Sequence, residues 1–553
     1  MMKTRLVCLA TLIGTVVFSG ASADAVDAKR MSDAVRVLAS DEFEGRAPGT
    51  PGETKTVNYL VEAFRSLGLE PGGTQGSWTQ EVPLLRTQVG TPRALQVTID
   101  GKAQSLSQAK TIYLNTVQDS QKITIDRAPL VFVGYGVTAP ERQWDDFKGV
   151  DLHGKVLVCL VNDPDFSAQP GEAVAGKFGS RRMTYYGRWS YKYEEAARRG
   201  AVAALIIHDT EGAGYGWPTV IAGGGENYAL MYPDASKAPP TVKLQGWLEG
   251  AAATELFRSA GLDLGELRWK ARSADFKPVE LKGATFTADV PVTTTKSISH
   301  NVLAKITGSE HSDEVVMMSA HWDAYGLGAP DARGRKVRPG ANDDALGVAG
   351  VLELARVFKA APRPKRTMVF AAWTAEERGL IGSQAYALNP VYPLPKTVTN
   401  LTLDVLQTAG LSRDVLLVGA GQSELEDDLA RAAAKQDRTI TPETLPERGL
   451  FYRADHFSLA RQGVPVLLLM ALSGAPDLRE GGRAAGEKWL TDYMRCYHQT
   501  CDAWDASWDL RGAAQDVELF HTIAADLANS RRWPQWRSDS EFHAIRERSR
   551  SQR

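Results

Sequence analysis

Six residues in the second half of the chain have the types and order that hydrolysis by a pair of metal ions requires: His321, Asp343, Glu376, Glu377, Asp404 and His498. Two histidines and three carboxylates can hold two zinc-like ions and leave one glutamate free to move protons. His321 closes the apolar run Val315-Val316-Met317-Met318-Ser319-Ala320. Glu376-Glu377 follow the run from Thr367 to Ala372, and Asp404 closes Leu401-Thr402-Leu403. In an open parallel sheet, ligands gather at the carboxyl ends of the strands. Apolar runs that each end on a ligand-type residue therefore set those residues along one edge, and the reaction they point to is peptide-bond hydrolysis.

The neighbouring residues refine these roles. Asp323, two residues after His321, can accept the other imidazole N–H and fix the ring, as metal-bound histidines require. Asp343 lies in Gly340-Ala341-Asn342-Asp343-Asp344-Ala345, just before a helical pattern. Asn and Asp also cap helices, which divides the pair: Asp344 nearer the helix, Asp343 nearer the metals. Adjacent Glu376 and Glu377 would repel unless a cation or a proton separates them; the natural division gives Glu377 to the metal and leaves Glu376 as general base. Asp404, a charge inside an apolar strand, needs a partner. His498 sits in Cys496-Tyr-His-Gln-Thr-Cys501. In an oxidising compartment the two cysteines can close a small loop around it; the alternative is two free thiols.

Elements that can position these groups are legible around them. Strands are expected at Glu314–Ser319, Arg366–Ala372, Thr399–Leu403, Val415–Gly419 and Val464–Met470. Helices are expected at Asp344–Lys359, Gly379–Leu388 and Glu424–Gln436. In the first helix Val348, Val351, Leu352, Ala355 and Phe358 share one face. Alternating strand and helix imply a mostly parallel sheet covered by helices on both faces, an α/β fold. A chain of 553 residues needs two or more domains. The divisions read from it are a leader at 1–23, a first part at 24–127, a β-rich α/β unit at 128–291, the main unit at 292–535 and a basic tail at 536–553.

Composition excludes some partners. Lys+Arg 64 against Asp+Glu 66 gives a net charge of −2, which favours neither nucleic acid nor an anionic membrane. At the N-terminus Lys3 and Arg5 precede an apolar run from Leu6 to Phe18, and Ala21-Ser22-Ala23 supplies a cleavage site. That pattern is a secretory leader with a mature start at Asp24, so a secreted or periplasmic protein with no membrane anchor after cleavage is expected.

His-Trp-Asp, Gly-Ala-Asn-Asp-Asp-Ala, Trp-Thr-Ala-Glu-Glu, Leu-Asp and Tyr-His, in this order, resemble the co-catalytic zinc aminopeptidases, a group that includes glutamate carboxypeptidase and the inactive transferrin receptor. Gly134-Tyr135-Gly136, Gly149 to Lys155 and Ala196 to His208 resemble their inserted protease-associated domain. The resemblance implies two Zn2+ per subunit, one held by His321 and Asp404, the other by Glu377 and His498, with Asp343 bridging. It makes Glu376 the general base and Asp323 the partner of His321. Phe451-Tyr452-Arg453-Ala454-Asp455-His456 is similar to the family's substrate-facing stretch, with Ala454 in place of the usual serine, so Tyr452, Arg453, Asp455 and His456 are candidate substrate contacts. The function implied is an exported aminopeptidase acting on peptides, a monomer or weak homodimer. A carboxypeptidase or dipeptidase, an inactive receptor-like protein and a glutaminyl cyclase are the alternatives on this scaffold.

Overall fold

A computed structural model describes residues 25–232, 234, 236 and 238–551. The expected leader, residues 1–23, and the expected mature start at Asp24 lie outside the described residues.

Four strands carry the ends on which the sequence places its polar groups. Val466–Leu469, Thr397–Leu403, His311–His321 and Arg366–Trp373 lie side by side in that order, all parallel. The last of these is Arg-Thr-Met-Val-Phe-Ala-Ala-Trp, buried along its whole length, as a parallel strand covered on both faces must be. Register aligns the carboxyl ends. Ser319 pairs with both Ala371 and Thr402, His321 with Trp373, and Leu403 with Leu469. His321, the turn after Trp373 and Asp404 therefore emerge at one edge.

The helix Leu346–Ala360 covers this sheet. Its expected apolar face is buried, but so are Ala349, Gly350 and Glu353, because the helices Ala28–Leu38 and Arg511–Asn529 pack on its other side. Gly350 has no room for a side chain: a Cβ there would meet Leu403 Cδ1 at 2.6 Å and Val517 Cγ2 at 2.9 Å. That close approach brings the helix, and Asp343 just before it, down onto the strand that ends at Asp404.

A single long strand, Val279–Ile306, joins this region to a second core. Its first half pairs antiparallel with Ala94–Ile99 and Lys122–Phe132, its second half with Thr79–Val89 and Arg366–Trp373. Together they form one fifteen-stranded sheet. Within this sheet, the four strands above and the second core's Lys122–Phe132, Val156–Leu160, Ala203–Ile207 and Leu244–Leu248 pair in parallel. The strands around them are antiparallel, so the sheet is mixed and its parallel part is the part that carries the polar edge.

Two expected boundaries need correction. Residue 128 falls inside the strand Lys122–Phe132, and Leu95, Val97, Ile112, Leu114, Ile123 and Ile125 all pack in the second core. Alternation along those strands marks them as half-buried without saying which core receives them. The chain end, expected as a tail from 536, is packed. Trp536 and Phe542 are buried, the helix His543–Ser551 follows, and Arg546 donates to the carbonyls of Leu394 (3.1 Å) and Thr397 (2.8 Å). Composition reads an arginine run as solvated because it cannot show a guanidinium that meets buried carbonyl oxygens.

Candidate metal centre

At the polar edge, Asp343 stands between two histidines. His321 Nε2 is 3.1 Å from Asp343 Oδ1 and 3.9 Å from Glu376 Oε2. His498 Nε2 is 3.1 Å from Asp343 Oδ2 and 3.2 Å from Glu377 Oε2. One carboxylate oxygen of Asp343 thus faces each ring. Two sets of donor atoms, each within 4.8 Å of one another, share this residue: His321, Asp343 and Asp404, and Asp343, Glu377 and His498. Glu376 belongs to neither set. His498 Nε2 and Glu377 Oε1 are buried without a hydrogen-bond partner, as donor atoms that serve a cation would be.

Backbone donors fix the bridge. Asp502 accepts the N–H groups of Asn342 (3.0 Å) and Asp343 (3.1 Å). Asp344 accepts from His321 N (3.1 Å) and Gly347 N (3.0 Å), pinning the strand end to the helix start. Gly340, at φ 53°, opens this turn; a Cβ there would lie 2.2 Å from the Asp343 carbonyl oxygen. Asp323 Oδ1 accepts the Glu376 N–H at 2.9 Å and stands 3.5 Å from His321 Nδ1. The aligned bond of Nδ1 goes to the Asp323 carbonyl oxygen at 3.1 Å. The residue expected to orient His321 does so, but through its main chain, leaving its carboxylate to hold Glu376. A disulfide joins Cys496 to Cys501 around His498. The imidazole is held between the rings of Tyr497 and Tyr325, at 3.6 and 4.4 Å.

The electrostatics are those of a cage short of positive charge. Burial raises Glu376 well above the usual carboxylate range, and Asp404, Glu377 and Asp455 add to it. Glu377 is pushed up by burial and by Asp343; burial and Asp343 take Asp404 to about 7. Asp343 alone is held low, because His321 and His498 outweigh its burial. Buried carboxylates this crowded are relieved by bound cations. The mixed imidazole and carboxylate donors suit zinc.

Residues 301–520 match the profile of Peptidase family M28. Among curated relatives, a probable zinc metalloprotease of Pyrenophora teres f. teres (strain 0-1) is 45% identical over 86 residues, 16% of this chain and 18% of that protein. Leupeptin-inactivating enzyme 1 of Streptomyces exfoliatus is 29% identical over 288 residues, 50% of this chain and 60% of that enzyme. The chain is therefore matched to only part of either relative. Among solved structures, the aminopeptidase from Aneurinibacillus sp. strain AM-1 is 22% identical, with a TM-score of 0.49 over 92% of this chain and 95% of that one.

Around the cage, the loop after Gly449 behaves unevenly. Tyr452 donates its hydroxyl to Glu541 at 2.7 Å, so it is committed to the chain end and not free for substrate. His456 is fully buried, with its ring edge-on to Phe451 at 4.9 Å, and burial pushes its pKa down to about 3. It is a neutral packed ring, a correction to its reading as a substrate contact. Asp455 is also buried, neither oxygen receives an aligned hydrogen bond, and its charge acts on Glu376. Arg453 is half-buried and acts on Asp404 and His498.

Arg46 and Asp502 support the site without having been singled out by sequence, while Asp344, read there as the carboxylate nearer the helix, does pin the helix start. Arg46 is fully buried and donates to the carbonyls of Trp322 (2.7 Å), Leu38 (2.8 Å), Pro339 (2.6 Å) and Gly340 (2.7 Å). It staples the N-terminal segment to the backbone just after His321 and just before Asp343. Its place in a Gly- and Pro-rich loop gives no signal in a single sequence. Arg46→Ala leaves four buried acceptors and the charges of Asp502, Asp323 and Asp344 uncompensated. The expected loss is about 3–5 kcal/mol of stability, read as a lower urea midpoint with unchanged slope.

Proposed function

We propose that the protein is an exported zinc metallopeptidase of the exopeptidase type, an aminopeptidase with two Zn2+ per chain. The observation that carries this reading is the sharing of Asp343 between two histidine–carboxylate triads, with Glu376 beside them and outside both. His321, Asp343 and Asp404 would hold one ion, and Asp343, Glu377 and His498 the other. Bound zinc supplies Lewis acidity at the scissile carbonyl and lowers the pKa of water.

The chain's own groups supply the rest. Glu376, with its pKa raised and its main chain fixed by Asp323, takes the proton of the attacking water at a carboxylate oxygen and delivers it to the leaving amine. Asp455 offers buried carboxyl oxygens that accept no aligned hydrogen bond and are suited to a substrate α-ammonium, which supports cleavage next to a free N-terminus. The Cys496–Cys501 disulfide supports an oxidising, extracytoplasmic location, as does the leader pattern in residues 1–23. Among the described residues no helix is long and apolar enough to cross a membrane. The second core is read as a protease-associated domain seated over the approach to the site.

Elemental analysis of the purified protein is expected to give two zinc ions per chain. Hydrolysis of aminoacyl chromogenic substrates should vanish with chelator and return with zinc, and N-acetylated substrates should be refused. Undiminished hydrolysis in the demetallated protein would sink the proposal.

A further inference from the structure

The turn that carries Glu376 and Glu377 rests on a small core of its own. Ala375 and Ile381, on either side of it, are buried with Val82, Leu84 and Ala385, and Tyr228 and Leu230 pack against that group. The turn enters and leaves in left-handed backbone, with φ 53° at Ala375 and 62° at Leu380. Residues other than glycine hold that conformation only where the surroundings impose it. Part of those surroundings comes from another unit of the chain. Between Ala203–Ile207 and Leu244–Leu248, neighbouring strands of the second core, the chain leaves that core. It runs as Glu226–Leu230 antiparallel to Thr79–Val89, with Tyr228 opposite Arg86, and then returns.

Arg378, the residue after Glu377, meets this excursion. Its guanidinium carbon lies 5.2 Å from the ring centre of Tyr228 and 4.9 Å from that of Tyr325. Nη2 donates to the Tyr325 carbonyl oxygen at 3.5 Å, while the buried Nε has no acceptor among the described residues. With so little hydrogen bonding, the group is held mainly by the two rings, and that attraction strengthens where water is excluded. The Tyr325 ring in turn lies 4.4 Å from that of His498, which Tyr497 approaches at 3.6 Å. Tyr325, Asp343, Glu377 and His498 line one cavity of about 160 Å³. A row of contacts, Tyr228 to Arg378 to Tyr325 to His498, thus runs from the excursion to one histidine of the cage. His321 lies outside that row.

We propose that Arg378 is a positioning residue for the ion of Glu377 and His498, and that the strand Glu226–Leu230 braces it there through Tyr228. The proposal rests on the two-ion reading of the cage and makes one of its two positions depend on a segment of the second core. Arg378 acts through its neighbours: it fixes Tyr325 against the imidazole and the turn against its small core. Both donors of one ion are then in place before the ion arrives, and donors ordered in advance bind more tightly than donors ordered on binding. The strand lies at the edge of the sheet and is half-buried throughout, the kind of element that opens at least cost. Loosening it should be felt at one ion and not at the other.

The demetallated full-length protein is titrated with Co2+ in competition with a chelator, and each binding step is read from the cobalt absorption bands. The wild type should take up two ions. Arg378→Met keeps the apolar stem but loses the charge and the plane. It should weaken one step by about 10–100-fold, the range for loss of a group that orients a ligand, and leave the other step unchanged. Arg378→Lys should recover part of the loss, since it restores a cation without the planar fork. Tyr228→Leu should weaken the same step, and Tyr228→Phe, which keeps the ring, should restore it. In a Glu377→Gln background Arg378→Met should have no further effect on the remaining ion. Equal weakening of both steps, no weakening of either, or a loss that persists beside Glu377→Gln overturns the positioning role. Weakening in Arg378→Met with wild-type affinity in Tyr228→Leu overturns the brace. Where Arg378→Met does not fold, Arg378→Lys and the two Tyr228 variants carry the same test. A wild type that holds a single cobalt ion would overturn the two-ion reading instead. Weakening of that ion by Arg378→Met would still uphold the positioning role, and unchanged affinity would overturn it.

Discussion

Glu376→Gln is expected to keep its zinc and lose about two to four orders of magnitude in kcat, the range that general acid–base work contributes. The substitution preserves volume and leaves the main-chain bond from Glu376 N to Asp323 intact. Neither donor set includes Glu376, so metal content should not follow activity down. The sign of the pH dependence provides a second check. Burial, then Asp404, Glu377 and Asp455, raise Glu376 above its ordinary range. A base with a raised pKa is protonated as pH falls through that value, so wild-type kcat/KM should decline on the acid side. The residual rate of the variant should lack that limb. Loss of zinc in parallel with activity would instead make Glu376 a ligand, and the division of labour with Glu377 would be wrong.

The strands and helices of the M28 region were largely legible because burial on both faces writes continuous apolar runs such as Arg366–Trp373, bounded by breakers. Ligand-type residues were legible for the same reason: a charge ending an apolar run, as at Asp404, has few structural uses. What sequence did not carry is which partner an element meets. Strands from Ala94 to Ile125 alternate correctly but join the second core. Arg546 and Arg46 look like solvated charges until the carbonyls they serve come from segments distant in the chain. The loop 451–456 shows the same limit within six residues. Tyr452 and His456 are absorbed by packing, while Asp455 is buried without an aligned hydrogen bond and Arg453 is half-buried, and spacing alone does not separate these fates. His498 sits between two aromatic rings that its sequence neighbours only half reveal: Tyr497 is adjacent, Tyr325 is not.

Asp343→Asn should have the widest effect of any single change at the cage, because it alone belongs to both donor sets. Replacing one oxygen by an amide nitrogen removes a charge and presents N–H to whichever histidine it faces, so one triad loses a donor and the other loses attraction. Zinc affinity should drop at both positions by more than the roughly 10–100-fold that follows loss of an outer-shell partner. Activity should fall at least as far as in Glu376→Gln. Single-site changes give the contrast. Asp404→Asn touches only the His321 side, and Glu377→Gln only the His498 side, so each should retain close to one zinc per chain. If the site is bridged, combining Asp343→Asn with either change adds little further loss, since residues acting as a unit are not additive. Metal analysis and activity of these variants, measured together, decide it. Two zinc ions retained in Asp343→Asn, or one lost with the other untouched, would mean that Asp343 serves a single position and that the centre is not a shared-carboxylate pair.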